Sequence, residues 1–299
     1  MEKIKVAVVG YGNIGHFSVE AVIAAPDMEL VGVVRRSVKD IPAELRDIKV
    51  VSNIDELGKV DVAILCGPSR SVPATALEMA KKGIRTVDSF DIHGQELLKH
   101  YKDLNAACQS NNTVSIISAG WDPGSDSVIR TMMMAMAPKG LTYTNFGPGM
   151  SMGHSVVARS KKGVKNALSM TIPLGTSIHR RMVYVELEDG AKLEDVAAEI
   201  KADSYFAHDE THVIAVPSVD ALQDMGHGVL IERKGVSGKT QSQRIEFRMT
   251  INNPALTAQI LCSCARATMK QKTGCYTMPQ VPPMDYIPGN IDDLILSLI

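Results

Sequence analysis

The chain has 299 residues, enough for two domains with separate cores. Hydrophobic residues make up 45% and charged ones 22%, an ordinary globular balance, and the formal net charge is −1, so electrostatics gives no reason to expect a nucleic acid or an anionic membrane as partner. The longer apolar runs, 62–66 and 132–137, are far too short to cross a bilayer, and the first residues enter a strand pattern without the apolar core of a signal peptide.

Residues 4–9 form a short apolar run that ends at glycines, as a buried parallel strand does. Residues 14–25 then carry Ile14, Phe17, Ala21, Val22 and Ala25 at helical spacing, closed by Pro26. Strands follow at 30–34 and 62–65, a helix at 73–82 stopped by Gly83, a strand at 86–87, a helix at 96–108 and a strand at 114–118. This alternation predicts a doubly wound, Rossmann-type parallel sheet over residues 1–120. Beyond Gly120 the pattern changes. A helix at 123–136 precedes strand candidates at 182–187, 212–216, 228–232 and 245–251, with an amphipathic helix at 192–201. Alternating apolar and polar residues there predict an antiparallel sheet with one covered face, hence an α+β substrate and dimerisation domain over 121–253. A last long helix from Pro254 opens the 254–299 segment, which is expected to return to the first domain. The five cysteines are odd in number and none forms a Cys-x-x-Cys pair, which argues against a disulfide scaffold or a structural zinc and for free thiols in a reducing cytoplasm.

Gly10, Tyr11, Gly12, Asn13, Ile14 and Gly15 match G-x-G-x-x-G between a strand and a helix, the context that gives this motif its meaning. Gly10 permits the tight turn, Gly12 lets the main chain approach a pyrophosphate and Gly15 lets helix and strand pack closely; the helix N-terminus then faces the phosphates. An NAD site usually places an acid about 20 residues further on, at the end of the second strand. Here the strand ends in Arg35, Arg36 and Ser37. Forked guanidinium donors suit a 2′-phosphate, so the expected cofactor is NADP, although the same residues also read as a solvated loop end. Cys66, Gly67, Pro68 and Ser69 follow the strand at 62–65, where a loop lines the cofactor groove or simply turns the chain.

Several further blocks are rich in small and polar residues: Asp88-Ser-Phe-Asp-Ile-His93, Ser118-Ala-Gly-Trp-Asp-Pro-Gly124, Asn145-Phe-Gly-Pro-Gly-Met-Ser-Met-Gly-His154, Ala167-Leu-Ser-Met-Thr-Ile172, His179-Arg-Arg181, Met225-Gly-His-Gly228 and Ile251-Asn-Asn-Pro-Ala-Leu256. With the glycine loop, they make nearly the whole chain resemble the meso-diaminopimelate dehydrogenase family, in its shorter form. The resemblance implies reversible oxidative deamination at the D-centre of meso-2,6-diaminopimelate with NADP, giving L-2-amino-6-oxopimelate and ammonia, in a homodimer. It also implies that Thr171, Arg181 and His227 hold the distal carboxylate and that Asp91 and Asp122 face the reacting amine. Trp121 and Phe146 would be walls of the pocket, Met152 and Gly153 would supply main-chain contacts, and Asn253 a side-chain amide. Asp91 and Asp122 are both candidates for the proton acceptor, and the residues do not separate them. Asp122 before Pro123, and Asn253 before Pro254, also read as helix caps. A dihydrodipicolinate reductase-like or sugar dehydrogenase-like protein would carry His-His-x-Lys or Glu-Lys-Pro, and neither is present. A nucleotide-sensing regulator with an eroded second domain is the alternative from outside the enzymes, and here the second-domain residues are intact.

Overall fold

The computed structural model describes residues 2–68, 71–222 and 226–299. The chain divides into two compact units, one of residues 1–129 with 254–299 and the other of residues 130–253.

The first unit is built on β1 (Ile4–Val9), α1 (Asn13–Ala24), β2 (Met28–Val34), β3 (Val50–Val51), β4 (Val62–Leu65), α2 (Val72–Lys81), β5 (Arg85–Asp88), α3 (Gly94–Ser110) and β6 (Val114–Ile117). With β14 (Gly274–Thr277) these strands make one seven-stranded parallel sheet in the order β14-β6-β5-β4-β1-β2-β3. Central strands buried on both faces must be apolar throughout, and Val62–Leu65 reads Val-Ala-Ile-Leu with every residue buried. The order runs outward in opposite directions from β1 and β4. A crevice therefore opens where their carboxyl ends part, beyond Val9 and Leu65.

The first boundary is expected after residue 120, whereas the compact unit runs to Ile129, within α4 (Ser125–Met136). The 120–126 turn explains the difference: Asp126 N–H donates to Trp121 O (2.9 Å) and Gly120 N–H to Pro123 O (2.9 Å), so the chain has not yet left the sheet's end. The helix expected from Pro254 is followed by further elements in the C-terminal segment. Helix α7 (Asn253–Thr268) stops before Gly274, β14 extends the sheet beside β6, and α8 (Ile291–Leu298) ends the chain. Arg266 pins α7 to this unit: Nε and Nη2 donate to Asp27 Oδ2 (2.5 Å) and Oδ1 (2.7 Å), a bidentate pair, and Nη1 donates to Tyr286 O (2.9 Å).

The second unit holds β7 (Lys139–Phe146), β8 (Gly149–Met150), α5 (Met152–Arg159), β9 (Val164–Gly175), β10 (Ile178–Leu187), α6 (Leu193–Ala202), β11 (Glu210–Ala215), β12 (His227–Ser237) and β13 (Gln241–Ile251). It contains two sheets, β11-β10-β9-β8 and β13-β12-β7, where one antiparallel sheet was expected. β11 lies parallel to β10, because helix α6 crosses between them. Ala158 of α5 and Val196 and Ile200 of α6 are buried with Val164, Val183, Val185 and Phe206 against one face of the four-stranded sheet.

Candidate active site

At the crevice of the first unit a cleft of about 760 Å³ is lined by Gly10, Tyr11, Gly12, Arg35, Arg36, Ser37, Cys66, Gly67 and Pro68. Asn13, Ile14 and Gly15 open α1 and are not part of this lining. Ser69 lies outside the described residues. Ser52, Ser71 and Thr75 also line the cleft and were not anticipated. Gly10 has φ +98°, and a Cβ there would stand 2.7 Å from the main chain of Cys66; a Cβ on Gly15 would stand 2.3 Å from Gly10 O. A Cβ on Gly12 would meet nothing within 4 Å. The N-cap of α1 makes no side-chain hydrogen bond and its first turn carries no acid, so its N–H groups remain suited to an anion.

Arg35 is held from two sides. Its Nη1 donates to Asp40 O (2.9 Å), and its guanidinium lies 5.9 Å from the Tyr11 ring centroid. The Tyr11 hydroxyl donates to Glu44 Oε1 (3.3 Å). Burial and the nearby Glu44 push its pKa up to about 12. Burial likewise pushes the Cys66 thiol up to about 12, so it is no nucleophile at neutral pH. The cleft thus combines a glycine turn, a helix N-terminus and two arginines, and it fits a 2′-phosphorylated dinucleotide.

The loops after β5 and β6 are tied together by Asp88. Its Oδ1 accepts from the N–H groups of Phe90 (3.0 Å) and Ser118 (3.2 Å), and Ser118 Oγ donates to Phe90 O (2.9 Å). Asp88 is fully buried, and burial pushes its pKa up to about 6 against those two hydrogen bonds. On these loops Asp91 is exposed beside His93, with Oδ1 2.7 Å from Nε2. Trp121 is buried and Asp122 half-buried. These are the acidic candidates, all in the first unit.

The second unit gathers cations and imidazoles. Arg181 on β10 lies directly across from Thr171 on β9, and its Nη1 donates to Thr171 Oγ1. Its Nε donates to Asp209 Oδ2 (2.6 Å). Phe146 stacks at a tilt on two imidazoles, His179 (centroids 5.6 Å apart) and His227 (6.5 Å), and Phe146 N–H donates to His179 Nε2 (2.9 Å). Burial, then the Arg181 charge, then the other two histidines hold the His227 pKa down at about 4. Burial and Arg181 do the same to His154, also to about 4. Both are therefore neutral at pH 7, and Arg181 supplies the cluster's positive charge. Met152 and Gly153 begin α5, whose Ser151 N-cap lies next to Met170 and Ser169 of β9. Asn253 begins α7.

The Diaminopimelic acid dehydrogenase C-terminal domain model matches residues 120–253, and the CoA binding domain model matches residues 1–93. Meso-diaminopimelate D-dehydrogenase of Bacteroides fragilis is 62% identical over 300 residues that cover all of both chains. The chain belongs to the meso-diaminopimelate D-dehydrogenase family. Among solved structures, a Corynebacterium glutamicum DAP dehydrogenase in complex with DAP superposes with a TM-score of 0.89 at 28% identity, covering 100% of each chain. An engineered D-amino acid dehydrogenase bound to NADP+ superposes with a TM-score of 0.83 at 28% identity, covering 99% of this chain and 100% of that one.

In this diaminopimelate dehydrogenase family member, four residues of the two sets escaped sequence reasoning: Asp88, His154, His179 and Asp209. Asp88, His154 and His179 lie inside blocks that stand out by composition, but nothing in spacing gives them a role. Asp209 lies in no such block. Its partner Arg181 is 28 residues away in sequence, and only the parallel pairing of β10 with β11 brings the two together.

Proposed function

We propose that this chain catalyses the reversible, NADP-dependent oxidative deamination of meso-2,6-diaminopimelate at its D-centre, giving L-2-amino-6-oxopimelate and ammonia, as a cytoplasmic homodimer. The observation that carries the reaction is the full-length relative at 62% identity, a meso-diaminopimelate D-dehydrogenase. The two groups of residues match what that substrate demands.

Gly10, Gly12 and the α1 N-terminus would hold the pyrophosphate of the cofactor, and Arg35, Arg36 and Ser37 the 2′-phosphate. When bound, NADP+ supplies the hydride acceptor. A substrate with a charged carboxylate at each end needs a cation far from the reacting carbon, and Arg181 beside Thr171 and neutral His227 offers one. The Arg181 charge persists through the reaction, as does that of the distal carboxylate, so this contact positions the substrate without entering proton transfer. Met152 and Gly153 would add main-chain contacts, Phe146 and Trp121 apolar walls, and Asn253 an amide. The reacting ammonium must lose its protons, and Asp91 and Asp122 are the acceptors we assign to that end. Asp88 fixes the loops on which both stand.

Support for the dimer comes from apolar surface on the second unit. Met132, Met134, Met136 and Leu141 are all exposed, and Ile245, Phe247 and Met249 are half-buried at alternate positions of edge strand β13. Cytoplasmic placement is supported by the nucleotide cofactor. The deciding assay follows absorbance at the NADPH band with meso-, L,L- and D,D-diaminopimelate and with other D-amino acids. Reduction of NADP+ with the meso isomer, and none with the L,L isomer, is the expected outcome. No reduction with any of them overturns the reading.

A further inference from the structure

Arginine has five N–H donors in a planar fork, and where they point depends on what holds the fork. In Arg181, Nε is taken by Asp209 and Nη1 by Thr171, and among the described residues none accepts from Nη2. Two edges of the guanidinium are thus occupied by protein and the remaining one is left for a ligand.

The carboxylate that fixes Nε is itself rigidly mounted. Asp209 N–H donates to Phe206 O (3.1 Å), and Thr211 Oγ1 donates to Asp209 O (3.1 Å). Phe206 is a fully buried core side chain of this unit. The turn that carries Asp209 is tied at a second point by His154, whose Nε2 lies 2.9 Å from Tyr205 O and whose Nδ1 lies 2.8 Å from Ser151 Oγ. A carbonyl only accepts, so Nε2 carries the proton and Nδ1 accepts from the Ser151 hydroxyl. The 203–209 turn is thereby joined both to Arg181 and to the N-terminus of α5, where Met152 and Gly153 stand.

The neighbouring pair gives a contrast. Arg180 and Glu210 also form an ion pair (3.0 Å), but their side chains are 38% and 48% exposed, against 13% and 23% for Arg181 and Asp209. Successive residues of a strand face opposite sides, so the outer pair is solvated and the inner one is largely shielded.

We propose that Asp209 is a positioning residue for substrate recognition: it holds Arg181 by Nε so that the remaining edge of the guanidinium meets the distal carboxylate of the substrate. This rests on the reading of Arg181 given above. Two effects of removing the Asp209 charge have opposite signs. As a mere nearby anion, Asp209 would weaken carboxylate binding, and Asp209→Asn would lower KM for meso-diaminopimelate. As a positioning residue it favours the productive fork, and Asp209→Asn would raise KM.

The test measures kcat and KM for meso-diaminopimelate in Asp209→Asn, Arg181→Ala, the double variant and Glu210→Gln, which removes the same charge one residue away. The expected result is a KM about tenfold higher in Asp209→Asn, the scale of one charge-assisted hydrogen bond, with kcat changed far less. Glu210→Gln keeps the parent KM. In the Arg181→Ala background, Asp209→Asn adds nothing, since its only route to the substrate is gone. A lowered or unchanged KM in Asp209→Asn overturns the inference alone. An equal loss in both backgrounds shows that Asp209 acts through the fold, and also overturns it. An unchanged KM in Arg181→Ala overturns the reading of Arg181, and this inference with it. Thermal unfolding of each variant separates a misfolded protein from a mispositioned arginine, and Asp209→Glu, which keeps the carboxylate, recovers part of the lost affinity.

Discussion

The two units prepare their surfaces by different means. The cleft of the first is made mostly of main chain: a turn that only Gly10 can make, a strand end against which Gly15 packs, and the uncapped start of α1. The corresponding region of the second is made of side chains that brace one another, with Arg181 held by Asp209 and Thr171, and Phe146 against both His179 and His227. A main-chain site tolerates little change in a few consecutive residues. A side-chain site depends on pairs brought together across strands, and single substitutions can dismantle it or retune it. The first should therefore fail by losing its shape and the second by losing its charges.

The largest expected effect comes from removing the charge at the centre of the second region. Arg181→Ala should lower kcat/KM for meso-diaminopimelate by roughly 10²- to 10³-fold, because a charged hydrogen bond contributes about 1.5–3 kcal/mol and its loss also misplaces the reacting carbon. A truncated substrate without the distal carboxylate, such as D-lysine or D-alanine, never makes the contact and should lose far less. Equal losses on both substrates would place Arg181 at the reacting end or in the fold, and the two ends of the site would have to be exchanged.

In the first unit the side chains that matter are those laid over the main-chain cradle. Replacing both Arg35 and Arg36 by Ser should shift the NADP/NAD ratio of kcat/KM towards NAD by about 10²-fold at most, the scale of two partly solvated charged contacts. Binding of 2′,5′-ADP measured by calorimetry should weaken in parallel, while 5′-ADP should bind as before. An unchanged ratio would mean that the arginines only solvate the loop and that cofactor choice lies elsewhere in the cleft.

The same division explains what could be read from the sequence. The glycine loop, the apolar strands and the basic end of β2 are local patterns with fixed spacing, and the doubly wound sheet followed from them. In the second unit, β7 and β9 were passed over. β7 starts at Lys139 and Gly140 and is mostly exposed or half-buried, and β9 contains Pro173 and a continuous buried stretch without alternation. The pairing of β11 parallel to β10 was invisible because it depends on where α6 carries the chain. β14 has only four residues and gains its strand character by adding to the edge of a sheet 160 residues away in sequence. Arg181, Thr171 and His227 are legible through the resemblance to a family; the contact of Arg181 with Asp209 depends on how β10 and β11 pair.

The smallest expected effects set the two units against each other by pH. His227 is 7% exposed and its folded pKa, about 4, lies below the ordinary value of 6.5. The unfolded chain then binds more protons than the folded one between pH 6.5 and 4, so this group's contribution is present above pH 6.5 and is lost as the pH falls through that window, by about 2 kcal/mol between pH 7 and 5. His154 acts in the same direction. Asp88, in the first unit, has its folded pKa raised from 3.8 to about 6, so there the folded state binds more protons between pH 3.8 and 6. Its burden on stability is greatest above pH 6, and acidification from pH 7 to 5 relieves about 1 kcal/mol. Trp121 is the single tryptophan and belongs to the first unit, so its fluorescence reports that unit, while far-ultraviolet circular dichroism reports both. In urea titrations, the midpoint seen by circular dichroism should fall behind that of Trp121 at pH 5 by more than at pH 7. His227→Asn should shrink the difference between the gaps at the two pH values by removing the loss in the second unit at pH 5, and Asp88→Asn, which keeps the acceptor for Phe90 and Ser118 N–H, should shrink it by raising the Trp121 midpoint chiefly at pH 7. Midpoints that move together at both pH values, or a gap indifferent to both substitutions, would show that the units unfold as one and that neither group titrates differently in the folded chain.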